Sequence, residues 1–324
     1  MSKDEILRLL RVSTTGYLSG AELAGKLGVS RTAVWKQIKA LERDGFRIEA
    51  VPSKGYRLTA SPDRIVPGEV TAGLGTLVVG REVVYRAEVV STNTLAVELA
   101  QAGAADGTAV VAESQTGGKG RLGRTWVSPS GNLALSVILR PAIPTHQAPL
   151  VTLMGAVATA LAVRDAAGVP AGIKWPNDIL VNGRKVGGLL TELSAEPDRV
   201  RHLVLGIGIN VNMDRSVLPS GFRDRTTTLS AETGGKVDRT ALLRKLLRQL
   251  DHWYRRLQED AAAVREAWTG LNVTLGKRVA VSGAAGIIEG TARAIDAEGR
   301  LVLSLDSGST VQVAAGDVTI IKKA

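Results

Sequence analysis

The sequence predicts an α+β chain in three parts: an N-terminal winged helix-turn-helix, a large central α/β domain, and a small C-terminal β-barrel. Three observations predict it. Helical periodicity with capping signals is concentrated in the first 60 residues and ends in a hairpin pattern; strands and helices then alternate to about residue 269; and from Leu271 the pattern changes to five short strands punctuated by glycine. A length of 324 residues also exceeds what one hydrophobic core usually organises. The expected boundaries are 1–62, 63–269 and 270–324.

In the first part, Ile6, Leu9 and Leu10 share one helical face. Ser19 followed by Glu22 forms a capping box that opens a short helix running to about Leu27, and Gly28 permits a sharp turn. Ser30 can cap the next helix, whose Val34, Ile38 and Leu41 face inward and leave Arg31, Thr32, Lys36 and Lys39 to solvent. Phe46-Arg47-Ile48 and Gly55-Tyr56-Arg57-Leu58 flank the turn Pro52-Ser53-Lys54 and would form the wing. Residues 1–60 hold eleven Lys/Arg against six Asp/Glu, so they carry +5 of the chain's net +10. A basic second helix beside a hairpin points to duplex DNA. Arg31, Thr32 and Lys36 can reach base edges or phosphates in the major groove, Ser30 and Lys39 belong to the same candidate set, and Lys54 approaches a phosphate. The alternative is a protein-contact domain with a solvated basic face. Trp35, beside the inward stripe, reads as packing rather than as a base contact.

Ser61-Pro62-Asp63 and Pro67-Gly68 read as a linker. Beyond it, strands are expected at Tyr85–Val90, Ala109–Glu113, Leu133–Leu139, Ile179–Val181, Val186–Leu193 and Leu203–Val211, with helices at Thr92–Gln101 and Leu150–Ala167. An amphipathic helix at Thr240–Gln258, with Leu243, Leu246, Leu247, Leu250, Trp253, Tyr254 and Leu257 on one face, would close the central domain. The barrel strands are expected at Arg278–Val281, Ile287–Ala294, Leu301–Leu305, Thr310–Val313 and Val318–Ile321.

Composition narrows the chemistry. The pI near 10.0 makes an anionic partner plausible without choosing among nucleic acid, nucleotide and acidic protein. With 44% hydrophobic and 22% charged residues the chain can build buried cores. The absence of cysteine excludes disulfides, thiolate catalysis and iron-sulfur clusters, and His146, His202 and His252 are too scattered in sequence to suggest a metal site. The opening MSKDEILRLLRVS lacks the features of a signal peptide, and the apolar stretch Ala148 to Val163 falls short of a membrane span, so no membrane partner is expected and the simplest address is the cytoplasm.

The chemically informative stretch is Gln115-Thr116-Gly117-Gly118-Lys119-Gly120-Arg121-Leu122-Gly123-Arg124-Thr125-Trp126. Gly118, Gly120 and Gly123 satisfy G-x-G-x-x-G, but that dinucleotide motif needs a helix directly after it, and Trp126-Val127-Ser128-Pro129 cannot start one. Arg124 stands where a P-loop needs lysine. What survives is a flexible loop whose amides, with Lys119, Arg121 and Arg124, can surround an acidic ligand; the alternative is a solvated basic hairpin. Two further segments stand out. Lys174-Trp175-Pro176-Asn177-Asp178 precedes Asn182-Gly183-Arg184-Lys185-Val186-Gly187-Gly188, and Gly206-Ile207-Gly208-Ile209-Asn210 alternates glycine with isoleucine, as in a strand closely approached by a ligand or simply tightly packed.

Together these segments resemble the biotin-protein ligases, in the bifunctional type that also represses the biotin operon. The resemblance covers nearly the whole chain and rests on the ordered set of winged helix, Ser91-Thr92-Asn93, the Gln115–Arg124 loop, KWPND, Lys185 with its glycines, the G-x-G-I-N strand and the C-terminal barrel. One departure is Lys119, where the family loop often carries arginine, so the positive charge persists but a bidentate contact does not.

The resemblance implies a mixed sheet in the central domain and an SH3-like barrel. It implies that biotin and ATP, with Mg²⁺ accompanying the nucleotide, yield biotinyl-5′-AMP, and that a lysine of the biotin carboxyl carrier protein then takes the biotinyl group. Ser91, Thr92, Asn93, Gln115, Lys119, Gly120, Arg121, Lys185 and Gly188 match biotin-binding positions; Gly118, Arg121, Arg124, Trp126, Asn177, Lys185 and Asn210 match nucleotide-binding ones. Lys185, Arg121, Lys119 and Asp178 are the catalytic candidates, with Asp178 either orienting cations or helping deprotonate the incoming lysine. Ser91 could equally cap its helix, and Trp126 and Asp178 could be packing and turn residues. Adenylate-dependent dimerisation and operator binding are implied as well. A lipoate-protein ligase, or a non-catalytic ligand-sensing regulator, would be the competing readings.

Overall fold

The computed structural model describes residues 3–321 apart from 14–15, 61, 197–198 and 284–285. The chain divides into two compact units, Met1–Ala72 and Gly73–Ala324.

The first unit contains α1 (Lys3–Val12), α2 (Gly20–Leu27), α3 (Arg31–Arg43), the antiparallel hairpin β1 (Arg47–Val51) and β2 (Gly55–Ala60), and α4 (Pro67–Thr71). The expected start and stop signals operate here. Ser19 and Glu22 satisfy each other's backbone N–H groups, Gly28 ends α2 in the left-handed conformation at φ 64°, and Ser30 Oγ accepts from Ala33 N at 3.2 Å. Ile6, Leu10, Leu23, Val34, Ile38, Leu41 and Phe46 form the core. Two expectations need correction. Pro67-Gly68 opens a helix instead of a linker, because Val66 and Val70 are buried and Glu69 pairs with Arg11 at 3.0 Å; Ser61 lies outside the described residues. Trp35 is 50% exposed and does not pack into the core.

The second unit is built on a seven-stranded mixed sheet. Its elements are β3 (Val83–Val89), α5 (Thr92–Gln101), β4 (Ala109–Gln115), β5 (Leu133–Leu139), α6 (Ala148–Ala167), β6 (Gly172–Lys174), β7 (Asp178–Val181), β8 (Arg184–Ala195), β9 (Val200–Ile209), α7 (Ser220–Arg223), α8 (Leu229–Thr233), α9 (Arg239–Glu259) and α10 (Ala261–Leu271). The strand order is β3-β4-β5-β9-β8-β7-β6, with β3 and β4 parallel and every other pair antiparallel. Strand side chains alternate between faces. Leu205 and Leu189 approach Gly155 of α6 on one face, while Gly206 approaches Asn93 of α5 on the other. The opposite faces of β9 therefore meet different helices.

Helix α6 is long and apolar enough to cross a membrane by length and composition, which corrects the shorter span read from sequence. It serves instead as a core helix between the sheet and α9–α10, with 67% of its apolar window buried. Helix α9 does not close the domain, because α10 follows it, capped by Asp260, and buries Val264 and Trp268. In α9, Trp253 is only half-buried, whereas the leucines and Tyr254 are fully inside.

Arg239, fully buried at the start of α9, reaches Glu113 Oε2 at 2.8 Å and donates to the Asn132 carbonyl at 2.8 Å, tying the helix to β4 and the turn before β5. Arg239→Ala withdraws a desolvated cation from its carboxylate and should cost about 3–5 kcal/mol. Urea unfolding of the full chain measures this; an unchanged midpoint would show that the pair is dispensable.

The C-terminal part forms a five-stranded antiparallel sheet of β10 (Arg278–Gly283), β11 (Gly286–Ile295), β12 (Leu301–Ser304), β13 (Thr310–Val313) and β14 (Asp317–Ile320), in the order β13-β12-β11-β10-β14. The whole is α+β.

Candidate active site and nucleic-acid interface

The N-terminus of α5 carries the first polar cluster. Ser91, Thr92 and Asn93 are buried there, and Ser91 forms no side-chain cap bond, so the capping reading of its hydroxyl does not hold. Gln115 Oε1 accepts from Thr92 N at 2.8 Å and from Thr92 Oγ1 at 3.1 Å. Asn93 donates from Nδ2 to Leu190 O at 3.3 Å and to Glu192 Oε2 at 3.0 Å, and its Oδ1 accepts from Ser136 Oγ at 2.6 Å. These bonds commit both protons of the Asn93 amide to the protein. Sequence reasoning missed Ser136 and Glu192. The one signal for Ser136 was a lone hydroxyl inside the apolar run Leu133–Leu139.

Gly206 is needed because a Cβ there would collide with the Asn93 amide. Two residues along the same face, a Cβ at Gly208 would meet the Trp126 indole at 2.5 Å. Alternate residues on a strand lie about 7 Å apart, so the α5 cluster and the Trp126 seat adjoin on one face of β9. The alternating glycines therefore admit side chains from both clusters. Trp126 Nε1 is buried without a hydrogen-bond partner among the described residues.

Beside the indole, Lys185 Nζ lies 5.5 Å from the ring centroid and 2.5 Å from Asp178 Oδ1. A Cβ at Gly188 would stand 3.1 Å from Lys185 Cε and Nζ, so the absence of a side chain there leaves room for the lysine. KWPND forms the turn between β6 and β7, which sets Lys174 opposite Asp178 and brings Lys174 Nζ to Asp178 Oδ2 at 3.2 Å. Burial pushes the Asp178 carboxyl up, but Lys185 and Lys174 outweigh it and hold the group below the ordinary carboxylate range. Trp175 is fully buried, its backbone N–H donating to Thr274 Oγ1 at 2.9 Å and its indole to Gly299 O at 3.2 Å. Asn177 Nδ2 donates to Leu189 O at 2.6 Å, and Asn210 Nδ2 donates to Thr227 O at 3.3 Å. Lys185 is itself pinned by the segment after β9, through Lys185 N to Arg225 O and Thr227 N to Lys185 O, both 2.8 Å.

The glycine-rich loop is arranged as a hairpin. Trp126 N bonds Gly118 O at 2.8 Å, Gly120 N bonds Arg124 O at 2.7 Å, and a 3₁₀ turn at Arg121–Gly123 forms the tip, where Leu122 is 73% exposed. Two of its cations reach the start of β14 and the third turns to Glu192. Arg121 Nη1 donates to Asn177 Oδ1 at 3.1 Å and to Gly316 O at 3.2 Å; Arg124 Nη2 pairs with Asp317 at 2.8 Å; Lys119 Nζ lies 3.8 Å from Glu192 Oε1. Lys174 Nζ also donates to Val318 O at 3.1 Å. Gly316–Val318, at the start of β14, thus touches three cations of the site. Sequence offered no signal for that contact.

In the N-terminal unit, Arg31, Thr32, Lys36 and Lys39 are exposed on α3 and Lys54 is exposed at the wing tip. Ser30 is engaged as the helix cap. Lys39 pairs with Glu42 at 2.7 Å, and Lys54 and Arg57 lie 5.9 and 4.7 Å from the Tyr17 ring centroid.

Comparison with known proteins matches the three regions in order. Residues 3–57 fit the HTH domain model, 85–210 the biotin/lipoate A/B protein ligase family, and 274–320 the biotin protein ligase C terminal domain. The bifunctional ligase/repressor BirA proteins of Bacillus spizizenii and Bacillus subtilis are each 39% identical over 308 residues, covering 94% of this chain and 95% of theirs. A solved biotin protein ligase from Aquifex aeolicus, in complex with biotin and ATP, superposes with a TM-score of 0.65 at 29% identity, covering 75% of this chain and all of that one. With the relatives matched along nearly their full length, this chain belongs to the bifunctional biotin-protein ligase/repressor family.

Proposed function

We propose that this protein joins biotin to a carrier protein through an acyl-adenylate and represses biotin genes when that adenylate is bound. The observation that carries the reading is the adjacency of two subsites on one face of β9: a polar cluster of the buried Thr92 and Ser136 with the partly buried Gln115, and an indole with a lysine at Trp126 and Lys185. Ser91, Thr92 and Gln115 offer hydroxyl and amide groups to the ureido ring of biotin, and Asn93 positions them. Gly118 and Gly120 give the loop its close backbone contacts, and Gly188 gives Lys185 room. Trp126 stacks on adenine, with Asn210 and Asn177 at its margins.

In the first step a carboxylate oxygen of biotin attacks the α-phosphorus of ATP; the new acyl C–O–P linkage forms and pyrophosphate leaves. The carboxylate is already ionised, so the need is for positioning and charge compensation. Lys185, Lys119 and Arg121 offset the repulsion between carboxylate and triphosphate, and Arg124 exchanges Asp317 for a phosphate oxygen. In the second step the neutral amine of a carrier-protein lysine attacks the acyl carbon, the bond from that carbon to the phosphate oxygen breaks so that AMP leaves, and the proton shed by the nitrogen passes to the departing phosphate or to solvent. Asp178, with its carboxyl held low by two lysines, is a weak proton acceptor and orients Lys185. Among the described residues no three His, Asp or Glu side chains converge, and Asp178 lies between Lys174 and Lys185. Mg²⁺ would enter on the ATP phosphates as part of the substrate.

The winged helix-turn-helix supplies operator binding through Arg31, Thr32, Lys36, Lys39 and Lys54, with Ser30 setting the start of α3. A homodimer of adenylate-bound chains would read a two-fold operator, and the cytoplasm, where carrier protein, ATP and DNA meet, is the expected compartment. Incubation with Mg-ATP, biotin and a biotin carboxyl carrier domain should biotinylate the carrier lysine. Transfer of lipoate in its place, or DNA binding without any transfer, would overturn the reading. Binding of biotin and ATP should also slow amide exchange across residues 117–126, since the loop gains phosphate contacts. Unchanged exchange would remove the loop from the mechanism.

A further inference from the structure

We propose that Trp35 reads sequence in duplex DNA, its indole entering the major groove and packing on the C5 methyl group of a thymine. The proposal rests on the reading of the N-terminal unit as a DNA-binding module and adds a residue of different chemistry to its cationic set.

The exposed positions of α3 run Arg31, Thr32, Trp35, Lys36, Lys39 and Arg43, a spacing that traces one continuous face of a helix, while Val34, Ile38 and Leu41 are buried on the other. Trp35 sits inside that cationic face. It is 50% exposed, lies outside the apolar cluster of its unit, and is the only large hydrophobic residue so exposed among the described residues of 3–72. No aromatic or cation–π contact engages its ring among the described residues. Half of the indole surface is therefore left open on the cationic face of α3.

Charge complementarity selects the occupant. Residues 1–60 carry a net +5, and among the described residues neither Arg31 nor Lys36, on either side of the indole, forms an ion pair. An apolar ring between uncompensated cations is poorly suited to an apolar protein groove, which would have to desolvate the charges. The major groove accommodates both. Phosphates flank it to meet the cations, and its floor offers the thymine methyl as an apolar feature. Trp35 falls in the second turn of α3, near the N-terminal end that a recognition helix presents to base edges. Phosphate contacts carry no sequence information, so the indole supplies discrimination that Arg31 and Lys36 need not provide.

The test uses the full chain with biotin and Mg-ATP. A pool of 40-base-pair duplexes with randomised centres is selected on the wild type, and the enriched duplex is then measured against wild type and Trp35→Ala. The expected result is a 5- to 100-fold loss of affinity for the enriched duplex in the variant, with affinity for random duplex and the slope of affinity against salt unchanged, because no charge is removed. Replacing thymine by uracil at the responsible position, which deletes only the methyl group, should weaken wild-type binding and leave Trp35→Ala indifferent. The inference is overturned if Trp35→Ala keeps the wild-type affinity and preferred sequence, if no thymine position responds to the uracil exchange, or if the variant loses specific and random DNA together with a lowered melting transition, the signature of a packing role. Failure of the wild type to bind any duplex would overturn the DNA-binding reading itself. Loss of affinity and salt slope in Lys36→Ala, with Trp35→Ala unaffected, would leave that reading standing and remove only the tryptophan.

Discussion

Replacing Lys185 by alanine lowers the rate of pyrophosphate release in the first half-reaction by about 10²–10³-fold, the scale expected when one charged stabiliser of a developing anion is removed from a pre-organised site. The ammonium group stands 2.5 Å from Asp178 and over the Trp126 ring, and these two contacts hold it at the site. Its deletion leaves Lys174 as the one ion-pair partner of Asp178 among the described residues. The Asp178 carboxyl, no longer held as low, then titrates at higher pH. The native pairing depresses the folded-state value relative to the unfolded one, so its contribution to stability is present above about pH 4 and is lost as the pH falls through the folded value. The variant should therefore lose less stability on acidification than the wild type, as read from urea midpoints between neutral pH and pH 3. A variant releasing pyrophosphate at the native rate would remove Lys185 from the chemistry.

The second large effect is a pair of single methyl groups. Gly206→Ala and Gly208→Ala add the same atom to the same strand face two residues apart, but against different neighbours. At 206 the new Cβ displaces the Asn93 amide and with it the bonds to Ser136 and Glu192; at 208 it displaces the Trp126 indole. Each overpacking change should cost about 1–3 kcal/mol of stability. The functional losses should separate. Gly206→Ala should raise the apparent KM for biotin by ten-fold or more with a smaller change for ATP, and Gly208→Ala should do the reverse. Equal effects on both substrates in both variants would mean that the two clusters do not mark separate subsites.

Much of this architecture was legible before the fold. The capping box at Ser19–Glu22, the inward triplet of α3 and the helix at Thr92–Gln101 follow from local rules that the tertiary structure only had to accept. The elements that were missed or misread share a cause. Strand β6 has three residues and α4 five, too short for periodicity to register, and α10, beyond an α9 whose end was read to within a residue, has a short alanine-rich sequence whose stripe of Val264, Trp268 and Leu271 is too sparse to stand out. Trp35 was misjudged because its type suggests packing, whereas exposure depends on what else the unit has to cover the indole. The loop motif was visible as a cationic, glycine-rich stretch, but its hairpin pairing and the destinations of its arginines were not.

By itself the sequence determined the three-region order, the extents of α2, α5, α6 and α9, the presence of a basic face on α3, and the set of polar residues from which a site could be built. Only the tertiary structure decided which of those residues meet. Asn93 is spent on holding Ser136 and Glu192, Asp178 is shared by two lysines, and the start of β14 reaches back more than a hundred residues to the cations of the loop and the KWPND turn. The physical reason is that caps and amphipathic stripes are set by neighbours within a turn or two of chain, whereas burial, desolvation and charge pairing are set by whichever distant segment the folded core brings alongside.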